Sequence, residues 1–448
     1  MAAHNACTGC ATCAGACPAA ALAMVEDEAG SLVPRLDEAR CIHCGLCLAV
    51  CPMVQPISQR DYAVRGDLAG LTGQVFGAPA EDPLLGHYRS LYLAHATNAA
   101  LRHRASSGGV TTALLQYALA SGLADGALVV RADPEAPLRP YPAIVTAADE
   151  IAAAAGSRYC PVPLNTAIAA AHRFDGRLAV AGLPCHIQGL RRAALRLPWL
   201  AERITLHLAL FCYHGVTLAG TRFWLDRLGI PPQDVATLDY RGRGWPGRMA
   251  VTQRNGAVRE VPYHTLWRQG FGFFSPLGCL PCRDAAGELG DISLGDAWLP
   301  RLRSEYGRNP GENLAIVRSA AGEALWRAAT EAGAIDAQSA TRAEVLTALH
   351  LPLRRKKLYY GARLRAMQRA GLATPAPEPD AEAAELGRAG WRAVLHSRLE
   401  LSFLRAIGRP AGYGRALRAP AFVLRGVTLL STFLEESPRH LLGMLRGR

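Results

Sequence analysis

The N-terminal stretch carries the strongest constraint in the chain. It reads Cys7-x-x-Cys10-x-x-Cys13-x-x-x-Cys17-Pro18, then Cys41-x-x-Cys44-x-x-Cys47-x-x-x-Cys51-Pro52. These are two copies of one pattern, offset by 34 residues. Three thiolates spaced in this way wrap one side of a metal cluster from a tight loop. The fourth follows three residues later, and the proline after it turns the chain away. Runs of this kind anchor cubane 4Fe-4S clusters. A segment so short buries little apolar surface, so its clusters must hold it together.

The repeated run is that of the bacterial two-cluster ferredoxins, in which the fourth cysteine of each copy ligates the other cluster. This assigns Cys7, Cys10, Cys13 and Cys51 to one cluster and Cys41, Cys44, Cys47 and Cys17 to the other. Zinc is the alternative, because Cys-x-x-Cys pairs also make zinc sites. Zinc uses pairs, however, and these are quartets with a trailing Cys-Pro, twice. Between the runs, Leu22–Met24 and Leu32–Pro34 flank the acidic turn Glu26–Gly30, which predicts a hairpin. A small α+β ferredoxin domain is expected over residues 1–56. A connector follows over 57–87, with Gly73–Pro83 its loosest part.

The chain has 448 residues and is 50% hydrophobic, enough for two or three domains with a sizeable core. No apolar run approaches the roughly 18 residues a membrane-spanning helix needs. Met1–Asn5 lacks the apolar region of a signal peptide. Thirteen cysteines, most in cluster patterns, predict a reducing compartment and a cytoplasmic protein. The net charge of +12 invites a nucleic-acid reading. Its distribution argues against one. Residues 351–448 hold 18 Lys plus Arg against 7 Asp plus Glu, so nearly all the excess sits in the last fifth. No interleaving of aromatic and basic residues suited to base stacking is present.

A second domain begins near Tyr88. Ser90–His95, Gly126–Arg131, Ala143–Thr146 and Arg177–Gly182 read as strands, with Asp149–Ala155 and Asn165–Ala171 as helices between them. The alternation predicts an α/β core with a largely parallel or mixed sheet. Ser106-Ser107-Gly108-Gly109 opens onto an apolar helix carrying Leu114, Leu115 and Leu119. Free amides and the positive end of that helix would suit an anionic phosphate, although the same residues also make an ordinary helix cap.

The strand ending at Gly182 leads into Pro184-Cys185, and Ile204–Cys212 again ends in a cysteine. Strand ends of this kind are where open α/β sheets bind ligands. Cys279-x-x-Cys282 comes later. By ligand count, Cys185, Cys212, Cys279 and Cys282 would suit either zinc or a third iron–sulfur cluster. Alternatively, Cys185 and Cys212 are simply buried small residues.

Several motifs now stand in a shared order: Ser106–Gly109, Gly156-Ser157-Arg158-Tyr159, Gly182-x-Pro184-Cys185, Phe211-Cys212, Tyr240–Gly247, Cys279-x-x-Cys282 and Asp291–Trp298. Together they resemble the beta subunits of coenzyme F-420 (deazaflavin) hydrogenases and dehydrogenases, over roughly residues 88–345. The superfamily includes a 7-hydroxymethyl chlorophyll reductase and a ferredoxin-type 8-vinyl reductase. The resemblance implies FAD beside a third 4Fe-4S cluster on Cys185, Cys212, Cys279 and Cys282. It also implies flavin contacts at Ser106, Ser107, Gly108 and Gly109 and at Gly156, Ser157, Arg158 and Tyr159. Cys160 is an extra thiol, read as buried.

The function expected is an iron–sulfur flavoprotein oxidoreductase. Clusters pass single electrons, FAD converts them to hydride, and an organic small-molecule acceptor receives it in a ferredoxin-dependent reductase. The alternative is an electron-transfer beta subunit of a hydrogenase or dehydrogenase complex, using deazaflavin or ferredoxin. The redox partner is ferredoxin or another oxidoreductase subunit. His186, Tyr213, His214 and His264 are candidate proton donors. Beyond Trp298, Glu312–Arg318 reads as an edge strand, and Ala320–Ala332 and Ala343–Leu349 as helices. Arg354-Arg355-Lys356-Lys357 reads as a solvated basic face. Residues 346–386 include the proline-rich linker Thr374–Asp380. Residues 387–448 form a basic helical extension, including Ala421–Leu434, that would pack on the body, grip a partner subunit or lie on an anionic membrane surface.

Overall fold

A computed structural model describes residues 6–56, 62–65, 67–78, 80–303, 308–375, 393–402 and 404–405. The centre of the fold is an eight-stranded sheet. Its strands are β1 (Ser90–Ala96), β2 (Gly126–Arg131), β3 (Tyr141–Val145), β4 (Leu178–Gly182), β5 (Ile204–Leu210), β6 (Ile292–Asp296), β7 (Asn313–Val317) and β8 (Ile335–Ser339). They lie in the order β8-β1-β7-β6-β5-β4-β2-β3. Three neighbouring pairs, β2–β4, β4–β5 and β5–β6, are parallel. The other four are antiparallel, so the sheet is mixed.

Side chains alternate across the strands as a pleat requires. On β2, Ala127 and Val129 join a core with α1 (Val110–Ala120), while Leu128 joins the opposite core with α2 (Pro184–Ala194). That second core also contains Ala16 and Val50 from the cysteine-rich segment. The ferredoxin module therefore shares apolar packing with the sheet domain. Its hairpin, Leu22–Glu26 against Leu32–Leu36, forms where expected. The hairpin's Glu26 reaches across to Arg222 and, at 2.7 Å, to Arg139.

Three expectations need correction. Residues Asn313–Val317 are not an edge strand. They lie between β1 and β6, and all five are buried. The supposed loose stretch from Gly73 includes the end of a helix, Leu68–Phe76, whose Leu71 is buried. The residues after it are anchored as well. Asp82 accepts hydrogen bonds from the Leu84 and Leu85 amides and pairs with Arg342. Arg318, fully buried, donates to the Leu85 and His87 carbonyls and ties this segment to the sheet. Third, Arg355, Lys356 and Lys357 are 0%, 2% and 7% exposed, so the basic run is an interior feature. The sheet takes the mixed form of the two the alternation allowed, because the chain returns through hairpin-like β6–β7 and β2–β3 pairings. Residues 393–402 are helical. Most of the proline-rich linker and Ala421–Leu434 lie outside the described residues. Among the described residues no helix is long and apolar enough to cross a membrane.

Candidate functional site

Both cysteine runs use the same local turn. A left-handed residue, Ala11 (φ 67°) or Gly45 (φ 73°), precedes a four-residue helix, Thr12–Gly15 or Leu46–Ala49. The turn folds each Cys-x-x-Cys-x-x-Cys back on itself. Cys7, Cys10, Cys13 and Cys51 then line one cavity, with Ala6, Pro34, Met53 and Val54. In the second group, burial and then the thiols of Cys44, Cys17 and Cys41 push the Cys47 thiol up. The fourth cysteine of each run thus sits with the other run's first three.

Amides are aimed at the sulfurs. Gly9 N donates to Cys7 Sγ at 3.4 Å, Met53 N to Cys51 Sγ at 3.5 Å and Ala21 N to Cys17 Sγ at 3.3 Å. Burial pushes the Cys7 thiol up to about 12 and the Cys51 thiol up to about 11, with neighbouring thiols adding to it. Thiolates so deeply buried and so close together need a bound cation to remain ionised, which fits an iron–sulfur core.

The strand-end cysteines converge. Cys185 opens α2 beyond β4, Cys212 lies two residues beyond β5, and Cys279 and Cys282 occupy the loop before β6. The Cys185 thiol is pushed well up, first by burial and then by Cys10, Cys212, Cys279 and Cys282. Gly215 N donates to Cys279 Sγ at 3.4 Å. Among the described residues no three His, Cys, Asp or Glu side chains gather closely enough for a single metal ion. A cubane interposes its own iron and sulfide, so its thiolates stand farther apart.

Sequence reasoning missed the basic residues here. Lys356 Nζ donates to Cys282 Sγ at 3.5 Å and to the Asp284 carbonyl at 2.7 Å. Burial opposes its charge, but Cys212, Cys282, Cys279 and Asp284 favour it, and the net shift is upward. Arg355 donates to Glu400 and to the Tyr213 carbonyl. Arg363 donates to the Leu280 carbonyl at 2.5 Å. A four-residue basic run gives no sign of such burial, since its partners lie far away in sequence.

The two segments expected to hold a flavin also meet. Ser157 N donates to Ser106 Oγ at 2.7 Å. Ser107 Oγ donates to the Glu312 carbonyl at 2.6 Å. The start of α1 is less open than a phosphate site would want, because Val110 N already donates to Asn313 Oδ1 at 3.2 Å. Gly108 is needed for packing. A Cβ there would stand 2.8 Å from the Ala94 carbonyl oxygen on β1.

Tyr159 leads into an aromatic cradle with Tyr240, Tyr263, Trp267 and Phe271. Arg241 makes two 2.7 Å hydrogen bonds to Asp296 and lies 4.3 Å over the Tyr263 ring. Trp245 Nε1 donates to Asp296 at 2.9 Å, and Tyr263 stacks on Trp298. Arg158 Nε and Trp267 Nε1 are buried donors without a protein partner. Buried donors of this kind are normally satisfied, so flat aromatic faces and two spare N–H groups fit a planar ring bearing acceptors. Arg241 and Asp296 lie in motifs visible in the sequence, but nothing there indicated that they pair.

The proposed proton donors fare differently. His186 accepts from Leu183 N at Nδ1 and contacts the Val162 carbonyl through Nε2, so it is a structural cap. His214 is half-buried, with Nδ1 2.7 Å from the Gly215 carbonyl, and desolvation pushes it down to about 3. Cys160 is buried, as expected.

Comparison with known proteins matches this layout. Residues 91–169 and 175–343 fit the N- and C-terminal models of the coenzyme F420 hydrogenase/dehydrogenase beta subunit, and residues 6–54 fit a 4Fe-4S dicluster domain. The chain belongs to this beta-subunit family. The beta subunit of coenzyme F420 hydrogenase from Methanothermobacter thermautotrophicus is 27% identical, covering 56% of this chain and 84% of the relative. A coenzyme F420-dependent sulfite reductase from Methanocaldococcus jannaschii is 27% identical, over 71% of this chain and 45% of its own length. The same fold occurs in the F420-reducing NiFe hydrogenase complex of Methanosarcina barkeri, with TM-score 0.52 and 22% identity, over 67% of this chain and 99% of that one. The family member described here is an oxidoreductase-type protein with a ferredoxin module in front of the beta-subunit core. Its likeness to chlorophyll reductases gains no support from these relatives.

Proposed function

We propose that this protein is an electron-transfer beta subunit of an oxidoreductase complex, linking three 4Fe-4S clusters to a flavin-type ring and a deazaflavin coenzyme of the F420 class. One observation carries the reading: Asn165 Nδ2 donates both to Thr12 Oγ1, which is 3.3 Å from Cys10 Sγ, and to the carbonyl of His186, next to Cys185, so the N-terminal and core quartets stand side by side. Clusters on the two quartets would be neighbours, and electrons need such neighbours to cross from module to core.

The chain's own residues do the positioning. Cys17, Cys41, Cys44 and Cys47 hold the outermost site, where another oxidoreductase subunit or ferredoxin would connect. Cys7, Cys10, Cys13 and Cys51 hold the middle site, and Cys185, Cys212, Cys279 and Cys282 the inner one. Ser106 and Ser157 clasp the two cradle segments together. Arg158 and Trp267 offer donors, and Tyr159 and Tyr263 offer faces. When bound, a flavin supplies the conversion between single electrons and hydride, and FAD is the form the sequence resemblance implies. The relatives' names favour this subunit reading over a self-contained ferredoxin-dependent reductase with its own organic acceptor. Those relatives are named for coenzyme F420 and not for a flavin. A cytoplasmic site, with residues 387–448 docking on a partner subunit or an anionic membrane, completes the reading.

The test is anaerobic purification of the full chain, with iron, sulfide and cofactor analysis. About twelve irons per chain are expected for three four-iron clusters, with flavin released on denaturation. Only about eight irons or fewer, or no bound flavin, would sink the proposal. Reduced F420 should bleach the visible absorption of the clusters. If it does not, the self-contained reductase becomes the better reading.

A further inference from the structure

Lysine is almost absent from this chain. Of its 49 basic residues only Lys356 and Lys357 are lysines. Both are buried, and Lys356 lies against the core quartet. Arginine serves at every other basic position. A guanidinium is a wide planar fork, whereas an ammonium is a compact point charge. At these two positions the chain places a compact charge where every other basic residue is a fork.

The two lysines do different things. Lys357 Nζ is 2.6 Å from Glu288 Oε1, so its charge is spent on a buried carboxylate. Lys356 directs its ammonium to a sulfur and a carbonyl instead, Cys282 Sγ and Asp284 O. The Asp284 carboxylate is turned elsewhere, toward the Gly287 and Glu288 amides and Gln188. The other buried cations here are also committed: Arg355 to Glu400, and Arg363 to backbone carbonyls. Among the described residues, Lys356 is the buried cation whose hydrogen bond ends on a cysteine of this quartet.

We propose that Lys356 is a positioning residue that raises the reduction potential of a cluster on Cys185, Cys212, Cys279 and Cys282. The inference rests on the cluster reading above. Four thiolates around a cubane carry net negative charge, and adding one electron increases it by one. A buried cation at hydrogen-bond distance from a ligating sulfur stabilises the reduced state more than the oxidised one, because hydrogen bonds and net charge set such potentials. The electron would come from a cluster on the neighbouring Cys7, Cys10, Cys13 and Cys51, which would be oxidised as one on the core quartet is reduced. Lys356 keeps its protons throughout. Its effect is to make the inner site the preferred resting place for an electron before the cradle.

The experiment is a potentiometric titration of the full chain, followed by electron paramagnetic resonance, for wild type, Lys356→Met, Lys356→Gln, Lys356→Arg and Lys357→Met. In Lys356→Met and Lys356→Gln the ratio of reduced to oxidised core cluster at a fixed potential should fall about tenfold, a downward shift of about 59 mV for one electron. Lys356→Arg should recover much of it, and Lys357→Met should move it little. Iron content should stay at the wild-type value. An unchanged midpoint in Lys356→Met or Lys356→Gln with full iron overturns the proposal. So does loss of about four irons in both variants, which would assign the lysine to assembly. Wild type with only about eight irons would instead refute the cluster reading itself.

Discussion

At the scale of single residues, the cradle depends on a buried ion pair that is heavily committed. Arg241 is 2% exposed and is held from two sides, by Asp296 and by the faces of Tyr263 and Trp298. Removing one partner leaves an uncompensated buried charge, which costs about 3–5 kcal/mol. Asp296→Ala should therefore lower the stability of the core by about that amount in chemical unfolding, and also release the Trp245 indole. Asp296→Asn, which keeps a hydrogen-bonding side chain of the same shape, should lose less. An unchanged unfolding midpoint in Asp296→Ala would contradict this account. The cysteines were legible in the sequence because ligand spacing is itself a local geometry. Lys356 and Arg241 were not, because each acquires its role from a partner tens of residues away. A basic run, read locally, has no reason to be buried.

At the scale of elements, the helix at residues 393–402 acts as a brace on the run 354–358. Its Glu400 pairs with Arg355. Burial alone would raise the Glu400 carboxyl, but Arg355, His396 and Arg363 hold it down to about 2. An unfolded glutamate titrates near 4.3. The folded value is the lower one, so the pair's contribution is fully present above pH 4.3 or so and fades as pH falls towards about 2. Glu400→Gln should be less stable at neutral pH and should lose less stability across that acid window. Acid titration followed by circular dichroism reads both effects. Equal slopes for the two proteins would rule the pair out as the acid-sensitive contact. Strands such as β2 and β5 were readable as apolar runs. The place of β7 was not, since an inner strand and an edge strand differ in their neighbours rather than in their own residues. For the same reason the sequence left open whether the sheet is largely parallel or mixed.

At the scale of the molecule, the ferredoxin module is seated by close approaches that only glycine permits. A Cβ on Gly278 would stand 2.1 Å from the Cys7 carbonyl oxygen, and one on Gly189 would stand 2.0 Å from Thr12 Oγ1. Thr12 in turn contacts Cys10 Sγ at 3.3 Å and accepts from Asn165 Nδ2 at 2.8 Å. Gly189→Ala should therefore displace the loop that carries Cys10. The expected result is loss of about four irons, or slowed reduction of the core cluster by electrons delivered to the outer one. Normal iron and normal internal transfer in Gly189→Ala would mean that the seam yields freely. The sequence showed a module followed by a connector. It could not show that module and core share one packed interior, because glycine in a sequence reads as freedom and here it marks contact.

The seating also grades the thiols by their distance from solvent. Cys44 is exposed and Cys41, Cys47 and Cys17 are half-buried, whereas in the middle quartet Cys10, Cys13 and Cys51 are buried; the core quartet lies between, with Cys279 buried and Cys185, Cys212 and Cys282 half-buried. Under air, damage should therefore begin at the outer quartet, with a cluster there bleaching before one on the middle quartet. A sample handled carelessly would keep its cofactor and its fold yet accept no electrons, an enzyme with its lamp intact and its cord cut.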